Sequence, residues 1–391
     1  MSNVYIVSAV RTPVGRQNGY LRNWPAPELL GAVLDEVVHR IDLDPALVDD
    51  VINGTVYQIG EQGFTLGRTG VLASKNFPIT VPGISVNRQC GSSLTAIQLA
   101  CGMIASGTME IVIASGCELL TKYTILSDTN GTLANGKPMG NPFGEYFTSR
   151  WGYPDQMASA QMIADHWGIT KDKCQEFAIA SHRKAHEATI NGYFKNEILP
   201  MKGLDKDGNE IVMETDEPIR PQTSYETLNA LKVLPNTKWI TAGLSSTITD
   251  GASAVVLMGE KKMKELKLEP IARIVASAVT GSDPKFMLTG PIYATSKVLK
   301  KAGLEMRDID IFEINEAFAP IPLAWVKELK ADMERLNVNG GAIALGHPVG
   351  NSGCRLTVTA INELRRRKAR YALVSLCTGG GMAPATIFER M

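Results

Sequence analysis

The pattern that opens the chain returns near its end. Residues 4–10 read as a strand, and residues 272–279 resemble them. Residues 310–314 resemble 50–54, and 371–376 stand where 110–115 stood. VNRQCGSS (86–93) and VNGGAIALGHP (338–348) each lead into a helix. Residues 28–40 carry Leu29, Leu30, Val33, Leu34 and Val37 at helical spacing, and 92–106 read as an apolar helix. Strands alternating with helices predict a layered α/β fold with largely parallel strands. The spacings are unequal, but a duplicated unit of this kind sets its two strand-to-helix turns symmetrically around one shared cleft.

Composition narrows the class. The chain has 391 residues, enough for two or three structural units. Apolar residues make up 44 % and charged residues 20 %, which suits a globular core and not a disordered chain. Lys and Arg number 40, as do Asp and Glu, so there is no basic surplus to displace counterions from a nucleic acid. No apolar run approaches the ~18 residues of a membrane span, so neither nucleic acid nor membrane is an expected partner. The opening residues enter the first strand without the pattern of a signal peptide, and the closing IFERM matches no lipidation or peroxisomal tail. A cytoplasmic, reducing location is expected. None of the six cysteines are spaced as C-x-x-C, so all are read as free thiols.

Residues 119–242 break the pattern. The stretch 130–152 is crowded with Gly and Pro and reads as long irregular loop. Residues 156–167 and 171–190 then read as helices, with Gly168 as the stop between them. This middle part is expected to be an insertion, the kind of segment on which binding surfaces are built.

Four positions can carry chemistry. Cys90 stands between a short strand and a helix, where the helix N-terminus favours a thiolate. The plainer reading is a buried structural cysteine, and for Cys101 and Cys117, among apolar neighbours, it is the expected one. His347 follows the glycine-rich run GGAIALG and precedes Pro348, a loop in which backbone and imidazole can approach a substrate; a turn histidine is the alternative. His39, His166, His182 and His186 lie in charged helical patterns and are expected on the solvated surface. His182 and His186 are four apart but have no evident third ligand, so no metal site is expected. Cys377 opens CTGGG (377–381), whose glycine N–H groups can point at an oxyanion. A strand-end turn or a phosphate loop are the alternatives, though the Walker Lys is missing. Asn315 and Glu316 in NEAFAP (315–320) end a strand and can hold a carbonyl oxygen or a neighbour. Two thiols, an imidazole and an amide suggest a thiolate nucleophile with a histidine base. The second thiol would exchange a proton with a carbon whose enolate the N–H groups stabilise.

VNRQCGSS, GRTGVLAS (67–74), TAGLSSTITDGASAVVL (241–257), NEAFAP, GGAIALGHPVGNSG (340–353) and CTGGG stand in an order that resembles the thiolases, the acetyl-CoA acyltransferase family. The resemblance covers essentially the whole chain. It implies the five-layered αβαβα fold, with two similar α/β halves (1–118 plus 243–268, and 269–391) and an inserted loop domain (119–242). It implies thiolytic cleavage of 3-oxoacyl-CoA, or the reverse condensation, with coenzyme A as substrate and no other cofactor. Cys90 is then the acylated nucleophile, and His347 activates it and forms one oxyanion hole with Asn315 and a water. Cys377 is the acid/base at the α-carbon, and the N–H groups of Cys90 and Gly379 form a second oxyanion hole. Ser246 matches a position at the pantetheine arm, Arg220 resembles one near the CoA nucleotide, and Phe318 lines the acyl pocket. A homodimer or homotetramer is implied. Two departures stand out. Ser93 replaces a common glycine, which could crowd the acyl site or alter helix packing. PDQMASAQMIAD (154–165) lacks the usual Met-Gly pattern and the histidine of biosynthetic members. Medium-chain or bulky 3-oxoacyl-CoA is therefore preferred over acetoacetyl-CoA. A carrier-protein ketoacyl synthase and a non-catalytic acyl-CoA-binding subunit are the other readings; the presence of Cys90, His347 and Cys377 together argues against both.

Overall fold

A computed structural model describes residues 3–129 and 131–391. Met1, Ser2 and Asn130, the last heading the loop expected at 130–152, lie outside the described residues. The first part of the chain runs β1 (Val4–Arg11), β2 (Gly15–Arg16), α1 (Ala26–His39), β3 (Asp50–Gly54), α2 (Leu66–Ala73), β4 (Gly83–Val86), α3 (Ser92–Ala105) and β5 (Ile111–Leu119). The middle part holds α4 (Glu145–Trp151), α5 (Gln156–Trp167), α6 (Lys171–Ile190), the hairpin β6 (Met201–Leu204) and β7 (Glu210–Met213), and α7 (Tyr225–Asn229). Next come β8 (Thr249–Gly259), α8 (Glu260–Glu265), β9 (Ala272–Gly281), α9 (Gly290–Ala302), β10 (Ile311–Ile314), α10 (Pro320–Leu329) and α11 (Ala342–Leu345). The chain closes with α12 (Ser352–Arg367), β11 (Tyr371–Ser375) and β12 (Met382–Arg390).

The main sheet runs β10-β11-β12-β9-β1-β8-β5-β3-β4, with β2 beside β8. Its two halves meet at β1 and β9, where only Tyr5–Arg273 and Ile6–Ala272 pair. The duplication is visible in the order: β3, β5, β8 and β1 of one half correspond to β10, β11, β12 and β9 of the other. A parallel bridge between Phe312 and Leu336 stands where a counterpart of β4 belongs. The expectation of largely parallel strands is corrected. Parallel pairing joins β3 with β4 and β5, and β10 with β11, while β1, β8, β9 and β12 pair antiparallel. The reason is local for β11 and β12: the CTGGG turn reverses the chain between them, and a parallel partner needs a crossover of a dozen residues or more.

Period-two burial divides the molecule into layers. Ile111 and Ile113 pack under α1 and α2 with Leu29, Leu30 and Leu66, whereas Val112 and Ala114 point the other way, onto α3 and α12. In the second half Ala372 and Val374 face the same two helices, and Leu373 faces outward onto Val298 of α9 and Trp325 of α10. The order is therefore helix, sheet, helix, sheet, helix. Both inner helices are covered by sheet on two sides, which is why α12 is buried along Cys354, Leu356, Val358, Ala360, Ile361 and Leu364.

Ser93 belongs to this inner seam. Its side chain is fully buried and its hydroxyl accepts the N–H of Cys354 at 2.8 Å. That N–H lies in the first turn of α12, where no helical carbonyl can reach it. The hydroxyl thus joins two helices. Ser93→Ala leaves the amide without a partner and lowers the unfolding free energy by about 1–3 kcal/mol. Denaturant unfolding measures this, and an unchanged midpoint contradicts it.

In the insertion, α5 and α6 have the expected bounds because their ends are chemically marked. The Asp155 carboxylate accepts the N–H groups of Met157 and Ala158, Thr170 caps α6, and Gly168 takes the left-handed φ of 60° that stops α5. The loop expected over 130–152 is corrected in part, since α4 forms within it. Aromatic Tyr146, Phe147 and Trp151 stand there without an apolar heptad to announce a helix.

Candidate active site

Cys90 sits at the turn from β4 into α3. Gln89 takes a left-handed φ of 50°, and the Ser92 hydroxyl accepts the Arg88 N–H while donating to the Gln89 carbonyl. Gly91 lets the CTGGG turn come close: a Cβ there would stand 2.7 Å from Pro384 and 2.9 Å from the Thr378 methyl. Cys90 is buried, and its thiol faces its own backbone N–H and that of Gly379. Burial pushes the thiol up to about 12; the two N–H groups pull it down, and the Glu118 carboxylate raises it further. The expected thiolate is therefore corrected, because desolvation outweighs the helix terminus. At neutral pH the ultraviolet difference spectrum between native protein and Cys90→Ser carries no thiolate band; a band at neutral pH contradicts this.

His347 follows Gly346, whose φ of 92° turns the chain out of α11. Its Nδ1 lies 2.6 Å from the Ser352 hydroxyl, which itself donates to the Pro348 carbonyl at 3.0 Å. With its one proton so used, the hydroxyl accepts from Nδ1–H, and we assign the tautomer accordingly. Nε2 keeps its lone pair and lies 3.4 Å from Asn315 Nδ2. Burial, and then the Arg355 guanidinium, bring the imidazole down to about 3, so it rests neutral as a proton acceptor.

Asn315 follows β10, its N–H bonded to the Ser375 carbonyl, and its buried Oδ1 has no partner among the described residues. The buried Glu316 accepts from Ser181 Oγ, Asn337 Nδ2 and the Ile343 N–H, and Ser181 Oγ also takes the Gly341 N–H. The loop that carries His347 is thereby tied to α6. Glu118 does the same from the other half, accepting the N–H groups of Val56, Tyr57 and Gly350 and the Gln62 amide. Burial raises its carboxyl to about 7. Reading the sequence missed Glu118, Ser181 and Ser352; only Ser352, inside GHPVGNSG, lay in a motif that marked it.

Cys377 is fully buried in one apolar cluster with Phe318 and Ile343. Burial, and then the charge Cys90 would carry, hold its thiol well above its ordinary value. Ser246 lies alongside, its N–H bonded to the Ala317 carbonyl at 2.9 Å. Cys90 packs with Val349, two residues past His347. The fold thus gathers Cys90, His347, Asn315, Cys377, Gly379, Phe318 and Ser246, contributed by both halves. Arg220 stands apart on the exposed surface of the insertion, its N–H donated to His182 Nδ1 at 3.1 Å. His182 is buried, not solvated as expected, and burial lowers it to about 4. Of its neighbours Arg183 is exposed, whereas His186 is half-buried, as is Lys184, whose Nζ donates to the Leu336 carbonyl at 3.1 Å. Cys117 is buried, whereas Cys101 is half-buried. Among the described residues no group of three or more His, Cys, Asp or Glu side chains could hold a metal ion.

Residues 4–261 match the thiolase N-terminal domain and residues 268–390 the thiolase C-terminal domain. The chain is 41% identical to a 3-ketoacyl-CoA thiolase of Marinomonas sp. (strain MWYL1), over 100% of this chain and 99% of that one. It is 40% identical to a steroid 3-ketoacyl-CoA thiolase of Mycobacterium tuberculosis, over 100% and 95%. Among solved structures, the Bacillus anthracis acetyl-CoA acetyltransferase superposes with a TM-score of 0.91 at 37% identity, covering 100% of this chain and 99% of that one. Human mitochondrial 3-ketoacyl-CoA thiolase superposes at 0.90 with 35% identity, again over 100% and 99%. The chain belongs to the thiolase family.

Proposed function

We propose that this chain is an acetyl-CoA C-acyltransferase that cleaves 3-oxoacyl-CoA with CoA through an acyl-Cys90 intermediate. His347 Nε2 takes the Cys90 proton as sulfur attacks the 3-keto carbon. The resulting alkoxide is held by the N–H groups of Cys90 and Gly379. Collapse breaks the bond between carbons 2 and 3, and the electron pair passes to the acetyl-CoA enolate. The enolate oxygen is stabilised at His347 and Asn315, and the Cys377 thiol protonates its carbon. CoA thiol then gives its proton to the Cys377 thiolate and attacks acyl-Cys90, releasing the shortened acyl-CoA, and Cys90 regains its proton from His347. A thiol held well above its ordinary value suits Cys377, because a proton leaving or joining a carbon needs a partner of similarly weak acidity.

The observation that carries this reading is the meeting of the two halves at Cys90: it packs with Val349, two residues past His347, whose Nε2 lies 3.4 Å from Asn315 Nδ2, and Gly91 beside it lets Thr378 of the CTGGG turn come close. The position of Ser246 beside Ala317 supports a pantetheine contact, and the exposed Arg220 guanidinium supports a nucleotide contact. Coenzyme A enters as substrate, with no resident cofactor. We place the chain in the cytoplasm, where its six free thiols suit a reducing compartment; among the described residues no helix is long and apolar enough to cross a membrane. We also propose a homo-oligomer, dimeric or tetrameric: β4 ends the sheet with an open edge, and the exposed Ile79 and Ile84 stand on and beside it.

The test is a panel of 3-oxoacyl-CoA substrates, from acetoacetyl-CoA to long-chain and ring-bearing members. CoA-dependent cleavage is expected across it, with kcat/KM highest for medium-chain or bulky members. Binding without turnover on every member refutes the enzyme reading, and a maximum at acetoacetyl-CoA refutes the preference.

A further inference from the structure

Two arginines are fully buried, and only one is paired. Arg11 of β1 lies 2.6 Å from Glu197 and 2.7 Å from Asp216. Arg355 of α12 is as deeply buried, yet its Nε and both Nη atoms have no hydrogen-bond partner among the described residues. Both oxygens of the buried Glu313 on β10 are likewise without one. Ile311 of β10 packs with Leu356 and Val358 of α12, so Glu313, two residues on, leaves its strand on the same side, toward that helix. Each of the two unpaired groups stands one step behind a residue that holds His347. Along α12, Ser352, Arg355 and Thr359 follow at helical spacing on one buried face. Ser352 meets His347 Nδ1 at 2.6 Å, and Thr359 donates to Glu197 at 2.9 Å. Along β10, Glu313 stands two residues before Asn315, whose Nδ2 lies 3.4 Å from His347 Nε2. The charged groups around Arg355 are Glu313 from β10, Arg11 from β1, and Asp216 and Glu197 from the insertion. Arg11 holds the last two, and burial pushes the Glu313 carboxyl up to about 8, so at neutral pH no carboxylate neutralises Arg355 by contact. Glu118 and Glu316 grip the His347 loop only through the N–H groups of Gly350 and Ile343, whereas the Arg355 charge reaches the imidazole itself.

We propose that Arg355 is a positioning residue for the Cys90 proton: acting through His347, its cation keeps that proton on Cys90 between turnovers and drives it back there when the acyl group leaves. The inference rests on the proposed thiolysis and adds a control of its proton. A cation behind the ring opposes the imidazolium, and does so strongly in a water-poor interior. The proton that passes from Cys90 Sγ to His347 Nε2 during attack is therefore held there only while the sulfur is acylated. When CoA takes the acyl group, the same proton returns to the freed sulfur. A buried cation without partners is destabilising, and this role is a reason for keeping one beside the site.

The experiment measures alkylation of Cys90 by iodoacetamide at neutral pH, read by peptide mass spectrometry beside that of Cys354, the fully buried neighbour of Arg355 on α12. Arg355→Met/Glu313→Leu replaces both groups by apolar side chains, and Arg355→Gln/Glu313→Gln keeps polar ones; each removes the charge without stranding its partner. In either variant Cys90 is expected to alkylate at least about 10-fold faster than in native protein, because more of its proton rests on His347. Cys354 is expected to stay unlabelled, and adding His347→Ala is expected to abolish the gain. A Cys90 rate within about twofold of native in both variants overturns the assignment, as does a gain that survives His347→Ala. Labelling of Cys354 alongside Cys90, or loss of the fold in both variants, makes Arg355 purely structural and overturns it too. The readout uses no turnover, so it is separate from the test of thiolysis: native protein that never cleaves a 3-oxoacyl-CoA overturns the functional reading instead.

Discussion

Cys377→Ala protein is expected to acquire an acyl group at Cys90 from an acyl-CoA donor, yet to lose carbon–carbon bond cleavage by about 10²–10⁴-fold. The two halves of the reaction draw on different atoms. Acylation from a thioester needs the Cys90 sulfur, a base and an oxyanion hole, all of which remain. Cleavage also needs a proton for the departing enolate carbon, and the fully buried Cys377 thiol is the group placed to supply it. The Cys377 side chain is small, and truncation beside Phe318 and Ile343 leaves a modest cavity, so folding survives. Stopped-flow acylation and steady-state thiolysis, measured on the same preparation, separate the outcomes. Cleavage at the native rate removes Cys377 from the mechanism; loss of acylation together with cleavage makes its role structural.

His347→Ala is expected to lower both halves by about 10⁴-fold. With the Cys90 thiol pushed up to about 12, little thiolate exists at neutral pH, so the nucleophile depends on an acceptor at hand. Nε2 is that acceptor because the Ser352 hydroxyl fixes the proton on Nδ1. Ser352→Ala removes this assignment while keeping the ring, and a smaller loss is expected of it. Acylation rates with a thioester donor decide: a His347→Ala enzyme that acylates at the native rate refutes base catalysis by the imidazole.

Much of this was written in local residue chemistry. Turns rich in glycine around Cys90, His347 and Cys377 marked themselves, because only such turns bring backbone and side chain together on a small ligand. The ends of α5 and α6 were legible through Asp155, Thr170 and Gly168, each acting within a few residues of itself. Strand partners were not. β8 inserts between β1 and β5, setting Val4 opposite Gly259, and no local pattern encodes a pairing over that separation. Burial was hidden for the same reason. His182 sits among charged residues in sequence but under the 220 segment in space, and the Cys90 helix terminus gave no warning that desolvation would dominate it. Glu118 and Ser181 act on loops far away in sequence, so their roles exist only once the two halves have met.

The central claim is that residues from both halves of the fold converge on one thioester at Cys90. It is tested most directly by incubating the protein with acyl-CoA, quenching in acid and mapping the acyl group by peptide mass spectrometry. The acyl mass is expected on the peptide containing Cys90, in native and Cys377→Ala protein alike, and nowhere in Cys90→Ala. An acyl group on another cysteine, or labelling that persists in Cys90→Ala, contradicts the claim.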